Sequence, residues 1–298
     1  MIYITGPIAF DTIIYCKRFP EINAAVPITG LYQVCGGAGG NTAAVLSSLG
    51  QNVSLISMVG EDFTGSDYER RLRELGVDLK HVKTVYGTYT SRAFMPVDSD
   101  GNLRSFFYWG ATSAFRNLLV PRINLTSKDL IHIATGDPKF NRRLVAAYPD
   151  ATISFDPGYD VPLYSKDDFE FIFGRVNLFF ANEHECSVVL HKVGKKTAKD
   201  LLSYGLDAVV VTHGAKGSEV FTPKAKITVK AYTKVKCVDP TGAGDAYRAG
   251  FLAAFMKGKP LKECAKIGSA TASFIISEVG GQTNIPTWEQ AEKRAKEL

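Results

Sequence analysis

Asp239-Pro-Thr-Gly-Ala-Gly-Asp245 sets two carboxylates around a glycine-rich turn, and Ala-Tyr-Arg-Ala-Gly-Phe-Leu-Ala-Ala-Phe follows with helical spacing. Glycines let the backbone turn tightly, so that consecutive N–H groups can point at one spot. A helix starting there adds the positive end of its dipole, which makes the turn a ready site for an anion. Asp245 would stand beside that anion, where a carboxylate can take a proton from a hydroxyl as a phosphoryl group arrives. A plain helix start with an acid in its first turn gives the same local pattern.

Four more stretches carry side chains of similar interest. Cys35-Gly-Gly-Ala-Gly-Gly-Asn-Thr packs four glycines before an amphipathic run. The backbone at Gly37 can approach a ligand closely, and Asn41 can both donate and accept hydrogen bonds. Asn182-Glu-His-Glu185 follows an apolar strand pattern, and Asn182 and Glu185 share a face if the chain turns helical there. An amide and a carboxylate at the carboxyl end of a strand can hold Mg²⁺ through waters, although a capped helix start explains the pair equally well. Thr212-His-Gly-Ala-Lys-Gly217 reads as a tight turn between strands, with Gly214 and Gly217 letting a nucleotide lie against the main chain. Asp11, just past Gly6-Pro7, could accept hydrogen bonds from two neighbouring hydroxyls of a sugar.

These residues need a scaffold, and the apolar pattern supplies one. Strand-length apolar runs recur at Ile2–Thr5, Val53–Met58, Leu130–Ala134, Thr152–Phe155, Leu178–Ala181 and Ala208–Thr212. Between them lie helical patterns at Asn41–Leu49, Thr64–Leu75, Thr197–Tyr204, Gly244–Met256 and Leu261–Ser277. This alternation predicts a mainly parallel sheet covered by helices. Two stretches break it, from about Ile13 to Val34 and from about Thr88 to Gly110. Both are rich in β-branched and aromatic residues, and Asp98-Ser-Asp-Gly101 between Thr90–Val97 and Leu103–Tyr108 is a hairpin signature. They predict a small projecting β-sheet, a natural lid over a site that must exclude water. Alternation along Phe106-Phe-Tyr-Trp109 puts Phe106 and Tyr108 on one face and Phe107 and Trp109 on the other. One pair could stack on a nucleobase, or the aromatics could build the lid's own core.

Composition excludes several classes. The net charge of +5 is mild and spread along the 298 residues, with no Lys/Arg block to suggest a nucleic acid or a membrane surface as partner. The five cysteines are scattered, without a Cys-x-x-Cys or Cys/His cluster, so they predict neither zinc nor disulfides but reduced thiols in a cytoplasmic protein. No apolar stretch approaches the ~20 residues that a membrane span needs. The G-x-G-x-x-G spacing fails at Thr42 and no G-x-x-x-x-G-K-[ST] occurs, which speaks against a dehydrogenase and a Walker-type NTPase.

Taken in order, Gly36-Gly37-x-x-x-Asn41, Asn182-x-x-Glu185, Thr212-x-Gly-x-x-Gly217 and Asp239-x-Thr-Gly-Ala-Gly-Asp245 resemble the ribokinase-like (PfkB) family of carbohydrate and nucleoside kinases across essentially the whole chain. Ile-Ala-Thr-Gly-Asp-Pro138 and Phe-Asp-Pro-Gly158 are most similar to its archaeal-type sugar and nucleoside kinases. The resemblance implies one α/β domain over residues 1–298, a ribokinase-like three-layer α/β/α fold with a mainly parallel central sheet and a small β-sheet lid. It implies a phosphotransferase that uses ATP and Mg²⁺ to phosphorylate a primary hydroxyl of a ribose-type sugar or nucleoside. Asp245 then corresponds to the general base and Gly242, Ala243 and Gly244 to the anion hole. Asn182 and Glu185 correspond to the pair that organises Mg²⁺ and the triphosphate, and Thr212, Gly214 and Gly217 to nucleotide contacts. Asp11, Gly37 and Asn41 correspond to acceptor contacts; Asp239, Thr241 and the Gly280-Gly281 loop could supply oxygens to a monovalent cation such as K⁺.

The chain departs from ribokinases where Ala38 stands in place of a lysine and Pro240 in place of the commoner threonine. Arg248, one turn into the helix, could touch a phosphate, but the reading favours solvent. A sugar-acid kinase, with Arg92 or Arg104 on the substrate carboxylate, and a non-catalytic nucleotide or sugar sensor are the alternatives. Some relatives dimerise through the lid, which makes a homodimer an expectation here as well.

Overall fold

The apolar runs become strands because their residues can be buried on both faces of one sheet. A computed structural model describes residues 1–298. The chain opens with β1 (Ile2–Thr5), passes through β2 (Ala9–Cys16) and β3 (Ile28–Gly36), and enters α1 (Ala38–Ser48). It continues through β4 (Val53–Gly60), α2 (Asp67–Glu74), β5 (Asp78–Val85), β6 (Ser91–Val97) and β7 (Phe106–Tyr108). Then come β8 (Leu130–Ala134), α3 (Pro138–Ala147), β9 (Thr152–Asp156), α4 (Lys166–Phe173), β10 (Leu178–Asn182) and α5 (Glu183–Val193). It ends with β11 (Ala208–Thr212), β12 (Ser218–Phe221), β13 (Lys226–Val229), α6 (Ala243–Met256), α7 (Leu261–Ile275) and α8 (Trp288–Ala295).

The central sheet has nine strands in the order β13-β12-β11-β10-β9-β8-β1-β4-β5. Every pairing from β5 to β11 is parallel, while β12 and β13 add an antiparallel edge. Successive side chains of a strand point to opposite faces, and the core divides accordingly. Ile2, Ile4, Leu178 and Phe180 face α1, α6, α7 and α8, whereas Ile131, Ile133, Phe155 and Phe179 face α3, α4 and α5. Because β1 neighbours both β4 and β8, the winding reverses there. Ligands of such sheets bind in the crevice at the carboxyl ends of the strands where the order reverses. The helices are specified locally as well: Ser66, Asp137, Ser165 and Thr287 cap α2, α3, α4 and α8 with side-chain oxygens.

A second sheet, β3-β2-β6-β7, stands apart and has a core of its own in Ile13, Ala93 and Met95. Its strands run further than the aromatic and β-branched stretches suggest: β2 begins at Ala9 and β3 ends at Gly36, so the sheet grows directly out of the turn after β1. The hairpin between β6 and β7 is fixed by Asp98, whose Oδ1 accepts from the N–H groups of Asp100 (3.0 Å) and Asn102 (2.8 Å). Residues 198–204 form 3₁₀ turns rather than the expected α-helix, and α2 starts at its Ser66 cap rather than at Thr64. All five cysteines are free, and no helix is long and apolar enough to cross a membrane.

Candidate active site

Gly242 shows why the turn before α6 needs glycine. It caps the helix at φ 76°, and a Cβ there would lie 2.6 Å from Cα of Gly281. The left-handed backbone and the close approach of the Gly280–Gln282 loop both exclude side chains. Asp239 locks the two loops together, accepting from the N–H of Thr241 (2.9 Å) and of Gly280 (2.8 Å). The N–H of Ala243 closes a turn onto the carbonyl of Pro240 (3.1 Å), while those of Gly242 and Gly244 have no protein acceptor. Helix start, glycines and free donors together suit the amino end of α6 to an anion.

Asp245 lies in the first turn of α6 with its side chain 14 % exposed. Asn41 donates to its Oδ2 at 2.8 Å, and Arg248 donates to its Oδ1 at 3.0 Å. Burial raises the pKa of Asp245; the Arg248 charge and the Asn41 hydrogen bond oppose that rise, and the Glu185 charge adds to it. Asn41 is itself held by Gln282, whose Nε2 reaches Asn41 Oδ1 at 2.9 Å and the Tyr68 hydroxyl at 2.6 Å. Tyr68 in turn donates to the carbonyl of Gly36 (2.7 Å).

Asp11 sits 6 % exposed at the inner end of the smaller sheet, and its carboxylate makes no hydrogen bond within the protein. Burial, with the charges of Asp245 and Asp239, pushes its pKa up to about 7. An unpaired buried carboxyl is costly, and two hydroxyls of a ligand would satisfy it. Gly37 (φ 83°) brings α1 against the turn after β1, where a Cβ would lie 2.5 Å from the carbonyl of Pro7. Asp11, Gly37, Asn41 and Asp245 thus converge from three segments of the chain: β2, the start of α1 and the start of α6.

Asn182 and Glu185 form a reciprocal cap on α5, each accepting at 2.8 Å from the other's backbone N–H. The capping reading and the functional one coexist. Glu185 spends Oε2 on the cap and keeps its other oxygen, and its charge reaches Asp156 and Asp245. A carboxylate with one oxygen to spare fits Mg²⁺ held through water. Asn182 and Thr212 are register partners at the carboxyl ends of adjacent parallel strands, and the Gly214–Lys216 turn leads from there into β12. Gly217 (φ 105°) has a structural reason visible here, since a Cβ would lie 2.1 Å from the carbonyl of Val229.

Arg248 corrects the sequence reading. Its side chain is only 12 % exposed, and its guanidinium bridges Asp245 and Asp156 instead of facing solvent. Asp156, fully buried at the end of β9, accepts from the N–H of Gly158 at 2.9 Å; burial raises its pKa and the adjacent guanidinium opposes that rise. Phe-Asp-Pro-Gly158 showed a strand ending in an acid, but nothing local linked that acid to Arg248. Gln282 was missed for the same reason. The sugar-acid candidates are already engaged: Arg92 pairs with Asp62 at 2.6 Å, and Arg104 lies over the Phe19 ring at 4.3 Å.

Next to this cluster, at the reversal between β1 and β8, opens a cavity of about 360 Å³. Pro7, Trp109, Thr112, Arg116, Gly136 and Asp160 are among its lining residues. Thr135, just before the lining residue Gly136, adopts a left-handed conformation (φ 69°), unusual for a β-branched residue. Asn141 donates to its carbonyl (3.1 Å), and Asp160 accepts from Gly136 N–H (2.7 Å). Phe107 and Trp109 meet edge-on at 4.9 Å, although β7 ends at Tyr108 and Trp109 already has a helical backbone. They lie outside the core of their sheet, 42 % exposed each.

Comparison with known proteins agrees with this geometry. The chain is 40 % identical over 297 residues to the nucleoside kinase of Methanocaldococcus jannaschii, covering 97 % of this chain and 94 % of that protein. It is 41 % identical over 291 residues to the nucleoside kinase of Methanothermobacter thermautotrophicus, covering 97 % and 93 %. The crystal structure of the M. jannaschii enzyme, an archaeal member of the ribokinase family, superposes with a TM-score of 0.94 over 100 % of this chain and 98 % of that one. The pattern of the pfkB family of carbohydrate kinases matches residues 4–288, and the chain belongs to that family of phosphotransferases.

Proposed function

We propose that the protein transfers the γ-phosphoryl group of ATP to the primary ribose hydroxyl of a nucleoside, with Asp245 as general base. The observation that carries this reading is the position of Asp245, fixed on both oxygens beside the free N–H groups of Gly242 and Gly244. Asp11 and Asn41 hold the sugar hydroxyls; Asp245 accepts the proton as the acceptor oxygen attacks phosphorus in line. The N–H donors stabilise charge that builds on the moving phosphoryl oxygens. Asn182, Thr212 and Gly214 line the path of the nucleotide. Glu185 would hold Mg²⁺ through water, and the ion supplies neutralisation of the triphosphate. A nucleoside is favoured over a free sugar by the roomy cavity with Trp109 on its wall, and by the two archaeal nucleoside kinases at about 40 % identity. The occupied states of Arg92 and Arg104 disfavour a sugar acid.

The smaller sheet acts in this reading as a lid. Its exposed Ile28, Leu31, Tyr32 and Phe94 suit a homodimer contact, which sedimentation would detect. Asp239 and Thr241 could share a K⁺ through lone pairs their hydrogen bonds leave free, and rate dependence on K⁺ tests that. The decisive experiment measures ATP consumption with ribose, cytidine, inosine, adenosine and a sugar acid, with Asp245→Asn alongside. A nucleoside should outcompete ribose, and the variant should lose roughly 10²–10⁴ in turnover. A loss below about tenfold would remove Asp245 from the role.

A further inference from the structure

We propose that Arg248, anchored by Asp156, is a positioning residue that ties the Asp245 carboxylate to the central sheet in one fixed orientation. This rests on the reading of Asp245 as the base. An aspartate in the first turn of a helix can rotate about both of its side-chain bonds, and a general base works only within hydrogen-bond reach of its proton. Here the two carboxylate oxygens have different donors, Asn41 on Oδ2 and Arg248 on Oδ1, so the group cannot turn over without losing both. Residues three apart on a helix share a face, which puts Arg248 within reach of Asp245. Arginine, however, is long and rich in rotamers and needs an anchor of its own to act as a strut. Asp156 is that anchor: it is fully buried at the end of β9, fixed by the Gly158 N–H, and in contact with Arg248 Nε. The base is thereby referred to the rigid strand ends where the acceptor sits, rather than to its own helix alone.

The same contact sets the charge of the base. The titratable and charged groups around Asp245 are Asp11, Tyr68, Asp156, Tyr159, Glu185 and Arg248, and Arg248 is the single cation among them. Removing it leaves burial and Glu185 to hold the proton on Asp245, so the base would ionise only at higher pH. Solvent is excluded as the destination of the side chain by its 12 % exposure. A phosphate is the competing destination, and the test separates the two.

Turnover and KM are measured between about pH 5.5 and 9 for Arg248→Met, Arg248→Lys, Asp156→Asn and Asp245→Asn at saturating ATP. Arg248→Met should lower kcat by about 10- to 100-fold with KM for ATP and acceptor held within about twofold, and should move the acid limb of kcat to higher pH. Arg248→Lys should recover part of kcat and return the limb toward its original pH. Asp156→Asn should cost less, about tenfold or below, without an upward shift of the limb. Should Arg248→Met fold poorly because Asp156 is left unpaired, the double variant Arg248→Met/Asp156→Asn carries the same readout. An unchanged kcat, or a raised KM for ATP with the limb in place, overturns the proposal. If Asp245→Asn itself retains turnover, the base reading fails instead, which keeps the two failures distinct.

Discussion

The amino end of α6 and the smaller sheet each carry part of the candidate site, Asp245 on one and Asp11 on the other, yet they are built on opposite principles. Around α6 the charged side chains are held by one another and by amides, while the N–H groups of Gly242 and Gly244 stay free: Asp239 joins two loops, Gln282 holds Asn41, and Asp156 holds Arg248 against Asp245. Beneath lies a core of fully buried residues such as Phe180 and Phe251, edge to face at 5.1 Å. The smaller sheet has three core residues and leaves Phe106, Phe107, Tyr108 and Trp109 exposed by 42–60 %. It is tied to the body by a few polar contacts, chiefly Asp62 with Thr90 and Arg92. The difference teaches a division of labour. Charge around α6 is fixed by buried partners, while the smaller sheet, the lid of the proposed reaction, is thin and has little holding it in one place.

The comparison breaks most visibly at Phe180. Phe180→Ala should cost about 3–5 kcal/mol in urea unfolding, because the site lies inside the large core; a cost below about 1 kcal/mol would mean that the body is as loosely built as the smaller sheet.

Asp11 marks the junction of the two regions and sharpens the contrast through pH. Its pKa rises from 3.8 to about 7 on folding, so the native state holds a proton that the unfolded chain has released, and stability drains away as pH climbs through that window. Asparagine does not titrate. Asp11→Asn should therefore gain on the parent by about 3–4 kcal/mol between pH 4 and pH 8 in the ligand-free state. A constant difference across that range would show that Asp11 is not buried as described.

The smallest effect is expected at Trp109. Trp109→Ala should leave unfolding within about 1 kcal/mol of the parent, yet raise KM for a nucleoside about 5- to 30-fold through lost stacking, with ribose little affected. Equal losses for ribose and nucleoside would make Trp109 part of the sheet's framework and not of the ligand's wall.

Much of the architecture was legible in the residues. Apolar runs of strand length marked every parallel strand but the edge strand β5, because strands buried on both faces need no polar alternation. The edge strands β5, β12 and β13, the helices α3, α4 and α8, and the run of α5 beyond its cap were not legible, since their half-exposed sequences give weaker periodicity. In the site, Asp245 with its glycines, Asn182 with Glu185, and Asn41 could be found because each chemistry sits within a few consecutive residues. Local sequence determined those elements: a glycine turn opening a helix presents donors whatever surrounds it, and an N-x-x-E cap closes on itself. Tertiary structure alone decided the rest. Gln282 reaches Asn41 and Asp156 reaches Arg248 only because the winding of the sheet reverses beside β1 and brings distant strand ends and loops to one place. Arg248 read alone was a surface cation; two carboxylates delivered by the fold make it part of a buried ion network, because a guanidinium leaves water only where opposite charge awaits it.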